Sequence, residues 1–348
     1  GSGLTALALA KNLINKKINV HIYERKKKSV LFLNRTIGIT KNNLEFLNKD
    51  ITHFPKKNVW PIKKIEIYSS KLKNEKILDF EKKKYDLFYM IQNEKFYKHI
   101  HTALIKSKFF KKKKIINENT YSKLLNEKKY DLIVNCELNN PISKKYFSKR
   151  INKEYYNLAY VTVLKHAKLD NHKAIQVFTK FGPIAYLPIS NTETSIVCSL
   201  DTKNIRYSND EVINLIKKYN PKLKIKEISK LSNFKLNSSN LRNYTYKNIL
   251  AFGDLLHKIH PLAGQGFNMT IRDIRTLSEI IQNKIDLGLQ LDSIILDEFQ
   301  KKNKHINSIF LNGVDIIYEI FSLDKNISNN NFMKILKRFG KNKVFTEA

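Results

Sequence analysis

Cysteine is almost missing from this chain: Cys136 and Cys198 are the only two in 348 residues, and they form no C-x-x-C spacing. A disulfide framework and a cysteine zinc site are thereby unsupported, and a reducing, cytoplasmic setting fits. No apolar run approaches the roughly 18 to 20 residues of a transmembrane helix, and no signal-peptide pattern is present. Glycine numbers ten and arginine eight, against 56 lysines. Acidic residues are outnumbered by basic ones, 31 to 64, which leaves a formal charge of +33. A surface selected for nucleic acid would concentrate its charge and favour arginine. Here lysine is scattered through every segment beside abundant asparagine and isoleucine, as the codon bias of an AT-rich bacterial genome would give. Solvated lysine faces are expected, and no specific nucleic-acid partner.

What is present is a globular composition, 42% hydrophobic and 11% aromatic, with length enough for two domains. The apolar run from Ile249 to Phe252 ends at Gly253-Asp254, a buried strand delivering one carboxylate to its end. Pro261 stops regular structure, Gly264 and Gly266 permit a tight backbone path, and from about Phe267 the spacing of Ile271, Ile274, Leu277, Ile280 and Ile281 is helical. Strand, glycine loop and helix cradle anions, because N–H groups without neighbouring Cβ atoms approach a ligand closely and the helix N-terminus adds its dipole. Asp254 suits a second task, accepting hydrogen bonds from sugar-like hydroxyls. His257 and His260 stand at i, i+3 without a third histidine or a cysteine nearby, so no metal is expected.

The chain opens on Gly1-Ser-Gly-Leu-Thr-Ala6, followed by an amphipathic helix (Leu4, Leu7, Leu9, Leu13, Ile14) and an alternating strand from Ile18 to Glu24. This is a dinucleotide fingerprint of the form G-x-G-x-x-A. Its glycines admit a pyrophosphate, and Glu24 can accept hydrogen bonds from a ribose. Ala6 at the third glycine position allows slightly looser helix packing, and a strand is expected before Gly1.

Gly253-Asp254, His257, His260-Pro261-Leu262-Ala263-Gly264-Gln265-Gly266, Asn268 and Arg272-Asp273 together resemble the second flavin motif of the aromatic-ring hydroxylases. The form is that of the FAD-dependent monooxygenases of ubiquinone biosynthesis. Asn171-His172-x-Ala174, Phe181-Gly182-Pro183 and Leu187-Pro188 are similar to that family's substrate domain, so the resemblance spans nearly the whole chain. It implies an α/β fold: a Rossmann-like FAD-binding domain of the glutathione-reductase type, an antiparallel-sheet substrate domain and C-terminal helices. The expected division gives 1–50, 87–137 and 245–290 to the FAD domain, 51–86 and 138–244 to the substrate domain, and 291–348 to the helices.

The resemblance implies that Asp254 binds the ribityl chain of FAD and that Pro261, Gly264, Gln265, Gly266, Phe267 and Asn268 pack beside the isoalloxazine and pyrophosphate. Gly1, Gly3, Ala6, Glu24 and the adjacent Arg25 complete the dinucleotide side, while Arg35 and Gln92 (or Asn93) reach the flavin from the substrate side. No side-chain nucleophile is expected, since the cofactor carries the hard step. Two departures stand out. Leu255-Leu256 replace a small pair and are expected to tighten the pocket. The family's G-A-D-G turn, which meets both FAD and NAD(P)H, is here Asn135-Cys-Glu-Leu138, with Lys144 where an arginine belongs. Leu138 would resist a left-handed turn. FAD binding is expected to survive this better than the handling of NAD(P)H as electron donor.

Elsewhere, Trp60 to Phe80 reads as the first strands of the substrate sheet, 85–93 as a strand leading into a helix, and the lysine-rich 109–129 as solvated hairpin and loop. The four alternating runs at 158–164, 174–178, 182–188 and 195–200 read as an antiparallel sheet walling the flavin. After Asn283 the apolar spacing through Leu289, Leu291, Ile294 and onward to 321 reads as helical, a pair of helices. The implied activity is ring hydroxylation of a polyprenylated phenol with O₂. The rival is a non-catalytic flavin-fold subunit of a quinone-biosynthesis assembly. Such a substrate implies peripheral contact with the inner face of the membrane, through lysines and apolar residues of the 294–321 helices.

Overall fold

The computed structural model describes residues 1–25, 35–70, 75–81, 86–126, 129–203, 205–259 and 266–326. Helix α1 (Leu4–Asn15) leads into strand β1 (Val20–Arg25); β2 (Thr36–Thr40), α2 (Lys41–Phe46), β3 (Val59–Ile62), β4 (Lys64–Ser69) and β5 (Glu75–Glu81) follow. β6 (Phe88–Gln92) runs into α3 (Asn93–Ile105), then β7 (Phe110–Ile115), α4 (Asn119–Asn126), β8 (Ile133–Asn135) and α5 (Pro141–Tyr146). The long β9 (Arg150–His166) opens a run with β10 (Lys173–Thr179), β11 (Gly182–Pro188) and β12 (Glu193–Asp201), before α6 (Asn209–Lys218), β13 (Ile225–Ile228) and β14 (Ser232–Leu241). β15 (Thr245–Tyr246), β16 (Ile249–Ala251), β17 (His257–Lys258), α7 (Gly266–Asp286) and α8 (Ile294–Asn326) complete the described chain.

The part of the fold that carries the glycine motifs is built on parallel pairs, β1 with β7 and β16 with β8. α1 is rich in alanine and leucine, so its backbone packs closely. Leu7, Ala8, Leu9, Ala10 and Ile14 enter one core with Ile22, the run Ile249 to Phe252, and Ile271, Ile274, Leu277, Ile280 and Ile281 of α7. That core holds the strand ends on which the site is built.

The large sheet has the order β17-β14-β9-β12-β11-β10-β4-β5, with β13 also on β9. Its two faces follow from strand alternation. Tyr160, Leu164, Ile184, Tyr186, Ile196, Cys198 and Leu200 pack against Val212 and Ile216 of α6, a helix opened by a Ser208–Glu211 capping box. The opposite face, carrying Ala159, Val161, Val163 and Ser195, turns toward β2, where Thr36 Oγ1 donates to Ser195 Oγ at 2.9 Å. The β10–β11 turn requires Gly182: its φ is +135°, and a Cβ there would lie 1.9 Å from the Ser199 carbonyl oxygen.

Three expectations need correction. The 109–129 segment is not loop: β7 pairs in parallel with β1 from Val20↔Phe110 to Arg25↔Ile115, and α4 follows. Four successive lysines, 111–114, carry no alternation, which hides the strand, while their long stems suit a solvated edge. Trp60 belongs to β3, which joins β6 and β2 in a separate three-stranded sheet rather than the large one. The four runs read as an antiparallel sheet do pair so, β10 with β11, β11 with β12 and β12 with β9, and the sheet continues through β4, which runs parallel to β10. Finally, α7 stops at Asp286 and Gly288 turns with φ +66°, so Leu289 and Leu291 sit in a connection before α8.

Candidate flavin site

From Ile249 to His257 every residue is buried except Asp254. The strand therefore presents one carboxylate and nothing else. The chain turns there because Gly253 adopts φ +63°, and a Cβ on it would come within 2.7 Å of Thr5 Cγ2 on the first turn of α1. This contact joins two motifs far apart in sequence. A third arrives beside them: Phe252 N–H donates to the Asn135 carbonyl at 2.9 Å, and a Cβ on Gly1 would meet Glu137 Cγ at 2.6 Å.

At the start of α1, Gly3 is the N-cap and supplies no side-chain cap. A Cβ built on Gly3 meets nothing within 4 Å, so the helix N-terminus opens on free space. Unsatisfied N–H groups with room above them, beside an exposed carboxylate, fit the pyrophosphate and ribityl parts of a flavin dinucleotide. Ala6 is half-buried in the same first turn. Glu24, at the end of β1, pairs with Lys112 at 2.8 Å. Burial raises its pKa, but hydrogen bonds from Lys112 and Ser2 outweigh that and hold it below the ordinary carboxylate range. Arg25 points elsewhere, toward Glu118 at 3.8 Å and over the Tyr121 ring.

On the other side of Asp254 lie two cations. Arg35 stacks its guanidinium 4.3 Å from the centre of the Phe234 ring on β14. Burial lowers its pKa and the Asp254 charge opposes this. Lys258, half-buried on β17, is lowered by burial and by Arg35 and supported by Asp254, and its ammonium donates to Asn237 Oδ1. Gln92 adjoins them: it pairs with Thr36 across β2–β6 and caps α3, and the next N–H, of Asn93, donates to the Arg35 carbonyl at 2.9 Å. Lys258 is the member that sequence reasoning passed over. Its only signal was its place between His257 and His260, and it is one lysine among 56.

The helix side is held by side chains committed to the fold. Gly266 begins α7, and Phe267 meets Phe96 edge to face at 5.5 Å. Asn268 Oδ1 accepts from Thr40 N–H at 3.1 Å and Asn43 Nδ2 at 2.9 Å, and its Nδ2 donates to the Gly38 carbonyl at 2.9 Å. Its amide thus ties α7 to β2 and α2. Pro261, Gly264 and Gln265, with His260, lie outside the described residues. His257 is tied into the core: Nε2 and Asp273 Oδ2 share a fully buried hydrogen bond at 2.5 Å, and Asp273 also accepts from Asn303 of α8 at 3.1 Å. Among the described residues no group of three His, Cys, Asp or Glu could hold a metal.

Leu255 and Leu256 do not narrow the site. Both are fully buried in the core shared by α1 and α7, facing away from Asp254. The turn after β8 is closed by side chains instead of glycines: Asn140 Nδ2 donates to Asn135 Oδ1 at 2.8 Å, Asn135 Nδ2 to Ser143 Oγ at 2.8 Å, and Asn140 caps α5. Leu138 is partly exposed and does not take positive φ. Lys144 is exposed on α5.

The chain resembles known proteins both in sequence and in fold. Residues 148–288 match the FAD binding domain family. The mitochondrial ubiquinone biosynthesis monooxygenase of Dictyostelium discoideum is 28% identical over 260 residues, covering 60% of this chain and 52% of the relative. The 3-demethoxyubiquinol 3-hydroxylase of Escherichia coli (strain K12) is 31% identical over 168 residues, covering 46% of this chain and 42% of the relative. The chain spans about half the length of the curated relatives it matches. Among solved structures, p-nitrophenol 4-monooxygenase from Pseudomonas putida superposes with a TM-score of 0.76 at 13% identity, over 98% of this chain and 93% of that one. HpxO of Klebsiella pneumoniae, complexed with FAD and uric acid, gives 0.73 at 9% identity over 97% and 91%. In sequence the chain is similar to these ubiquinone-biosynthesis enzymes over about half its length, and its fold is like that of the solved monooxygenase structures.

Proposed function

We propose that the chain is an FAD-dependent monooxygenase that hydroxylates the ring of a polyprenylated phenol in ubiquinone biosynthesis. The observation that carries this is the lone exposed carboxylate, Asp254, set against the open N-terminus of α1 by the Gly253–Thr5 contact. FAD, when bound, supplies the activation of O₂ and the transfer of one oxygen to an electron-rich ring.

The chain's own residues bind and orient. Backbone N–H groups after Gly1 and Gly3 hold the pyrophosphate, Glu24 accepts from the adenosine ribose, and Asp254 accepts from the ribityl hydroxyls. Arg35, Gln92 and Lys258 border the flavin ring on the substrate side. The apolar face of the large sheet, Ala159, Val161 and Val163, lays the aromatic ring against it and excludes water. NAD(P)H is the proposed reductant. Purified full-length protein is expected to carry a flavin absorbance spectrum and to oxidise NAD(P)H in the presence of a prenylated phenol; a colourless protein indifferent to FAD refutes the reading.

A non-catalytic flavin-fold subunit of a quinone-biosynthesis assembly is the second reading, motivated by the turn at 135–140 closed by Asn135, Asn140 and Ser143. Product formation abolished by Asp254→Ala favours the enzyme. Flavin binding without turnover favours the subunit. Peripheral attachment to the inner face of a membrane belongs to either reading, because among the described residues no helix is long and apolar enough to cross one. Ile306, Ile309 and Ile316 form an exposed stripe on α8 suited to shallow insertion.

A further inference from the structure

Asn157 lies in β9 with only 3% of its surface exposed, yet neither its Oδ1 nor its Nδ2 has a hydrogen-bond partner. Among the buried amides of the described residues it is the only one with both groups unpaired. Buried amides are ordinarily satisfied, and an asparagine near a chain irregularity usually bonds to its own backbone. The setting of this one is specific. It stands across from Leu236 of β14, two residues from the fully buried Ala159, on the sheet face that carries Phe234 beneath the Arg35 guanidinium. That is the face turned toward the flavin site.

The backbone just before it is unusual as well. Tyr156 takes φ +53°, a strained value for a residue with a side chain, and the β9–β14 register shifts between Leu236 and Asn237. The Tyr156 carbonyl is pinned by Thr202, whose N–H and Oγ1 both donate to it at 2.8 Å. Bulges re-aim the neighbouring side chain, and strain collects where a site is built. An unpaired amide, set between Leu236 on one neighbouring strand and Asp201 on the other, coincides with a pinned bulge beside it.

We propose that Asn157 is the specificity residue that hydrogen-bonds the ring hydroxyl of the phenol substrate; this rests on the monooxygenase reading above. A carboxamide is suited to that partner. Its Oδ1 can accept from a phenol O–H while Nδ2 donates to the same oxygen, and no charge is placed against Ala159, Leu236 and Phe234. A benzene ring lacking the hydroxyl would leave the amide unpaired, which is how a site built around a buried polar group rejects an analogue.

The test is a discrimination ratio measured by flavin-absorbance titration of the FAD-loaded, full-length protein with 2-prenylphenol and with prenylbenzene. The wild type is expected to bind the phenol about tenfold more tightly, equivalent to about 1.4 kcal/mol, and Asn157→Leu to bring the ratio to about one. A ratio unchanged in Asn157→Leu overturns the proposal, as does a wild type with no preference. If the leucine variant does not fold, Asn157→Ala is read the same way. Failure of both to fold also overturns it, because an amide with no internal partner must be dispensable to folding. A wild type without flavin sinks the monooxygenase reading instead, so the two failures are distinct.

Discussion

Gly253 rests its bare Cα on Thr5, at a φ of +63° and with no room for a methyl group: a Cβ would stand 2.7 Å from Thr5 Cγ2. Two independent reasons thus require glycine there. Gly253→Ala is expected to cost at least about 1–2 kcal/mol from the left-handed conformation alone, more once the helix gives way. A fall in Tm of several degrees together with weakened FAD binding is the expected result of calorimetry and flavin titration; a variant as stable as the wild type contradicts the packing.

Asp254 answers a different measurement. It is exposed, so its removal should leave the fold intact while deleting a charged acceptor from the site. Loss of such hydrogen bonds is worth about 1.5–3 kcal/mol, or roughly 10- to 150-fold in affinity. Asp254→Ala should lose FAD on dialysis with its Tm in the apo state unchanged. Retention of FAD at wild-type occupancy would remove the carboxylate from the site.

The buried His257–Asp273 pair makes the opposite prediction. Asp273 is fully buried and accepts from His257, Asn303 and Asn307. Asp273→Ala strands all three and should destabilise by about 3–5 kcal/mol in urea melts. Asn303→Ala, which removes one donor of several, should cost about 1 kcal/mol. Equal losses in the two variants would argue against Asp273 as the hub.

Acid should find the large sheet through Glu66. Its side chain is 8% exposed and faces Lys173 at 3.0 Å, Lys64 at 3.7 Å and Lys76 at 3.9 Å, with Tyr68 Oη donating at 2.8 Å. Burial raises its pKa, but Lys173 and Tyr68 outweigh burial and leave it below the ordinary range, while burial and the bond to Glu66 push the Tyr68 phenol up to about 12. A depressed carboxyl pKa stabilises the fold above the ordinary carboxylate range, and that stability is lost as pH falls through the folded value. Glu66→Gln should therefore be less stable than wild type at pH 7, by about 1 kcal/mol, with the gap closing in strong acid. A gap independent of pH would mean the charge is not its source.

Membrane contact is decided by vesicle co-sedimentation. Lysine attraction to anionic lipid, at up to about 1 kcal/mol per residue near the surface, should weaken with salt. Ile306→Ser with Ile309→Ser should remove the salt-resistant fraction. Equal recovery with neutral and anionic vesicles at low salt refutes the lysine contribution, and no pelleting with either refutes attachment.

Much of this architecture is legible in the sequence, because α1, the alternating strands β9, β11 and β12, and the Gly253-Asp254 strand end are local patterns with local causes. What escaped was set by distant partners or masked by composition. β7 is a strand because β1 lies beside it, not because Lys111 to Lys114 alternate. Lys258 gains its character from burial near Asp254 and Arg35, which spacing does not encode. The burial of Leu255 and Leu256 follows from the 3₁₀ turn at Gly253–Leu255, which aims Asp254 outward and its neighbours into the core. Asn157 sits in a run that reads simply as strand, and only the missing partners of its amide single it out.

Lys16 at the end of α1 donates to Gln282 of α7 at 2.8 Å, across 266 residues of sequence. On the ribosome, at roughly 5–20 residues per second, the first helix therefore waits about 13 to 53 s for that partner to be made. During that interval the buried residues of α1 lack the part of their shared core that α7 supplies. That part of the core therefore stays open to solvent and to proteases until α7 is made, and slowing translation should lengthen the exposure in proportion.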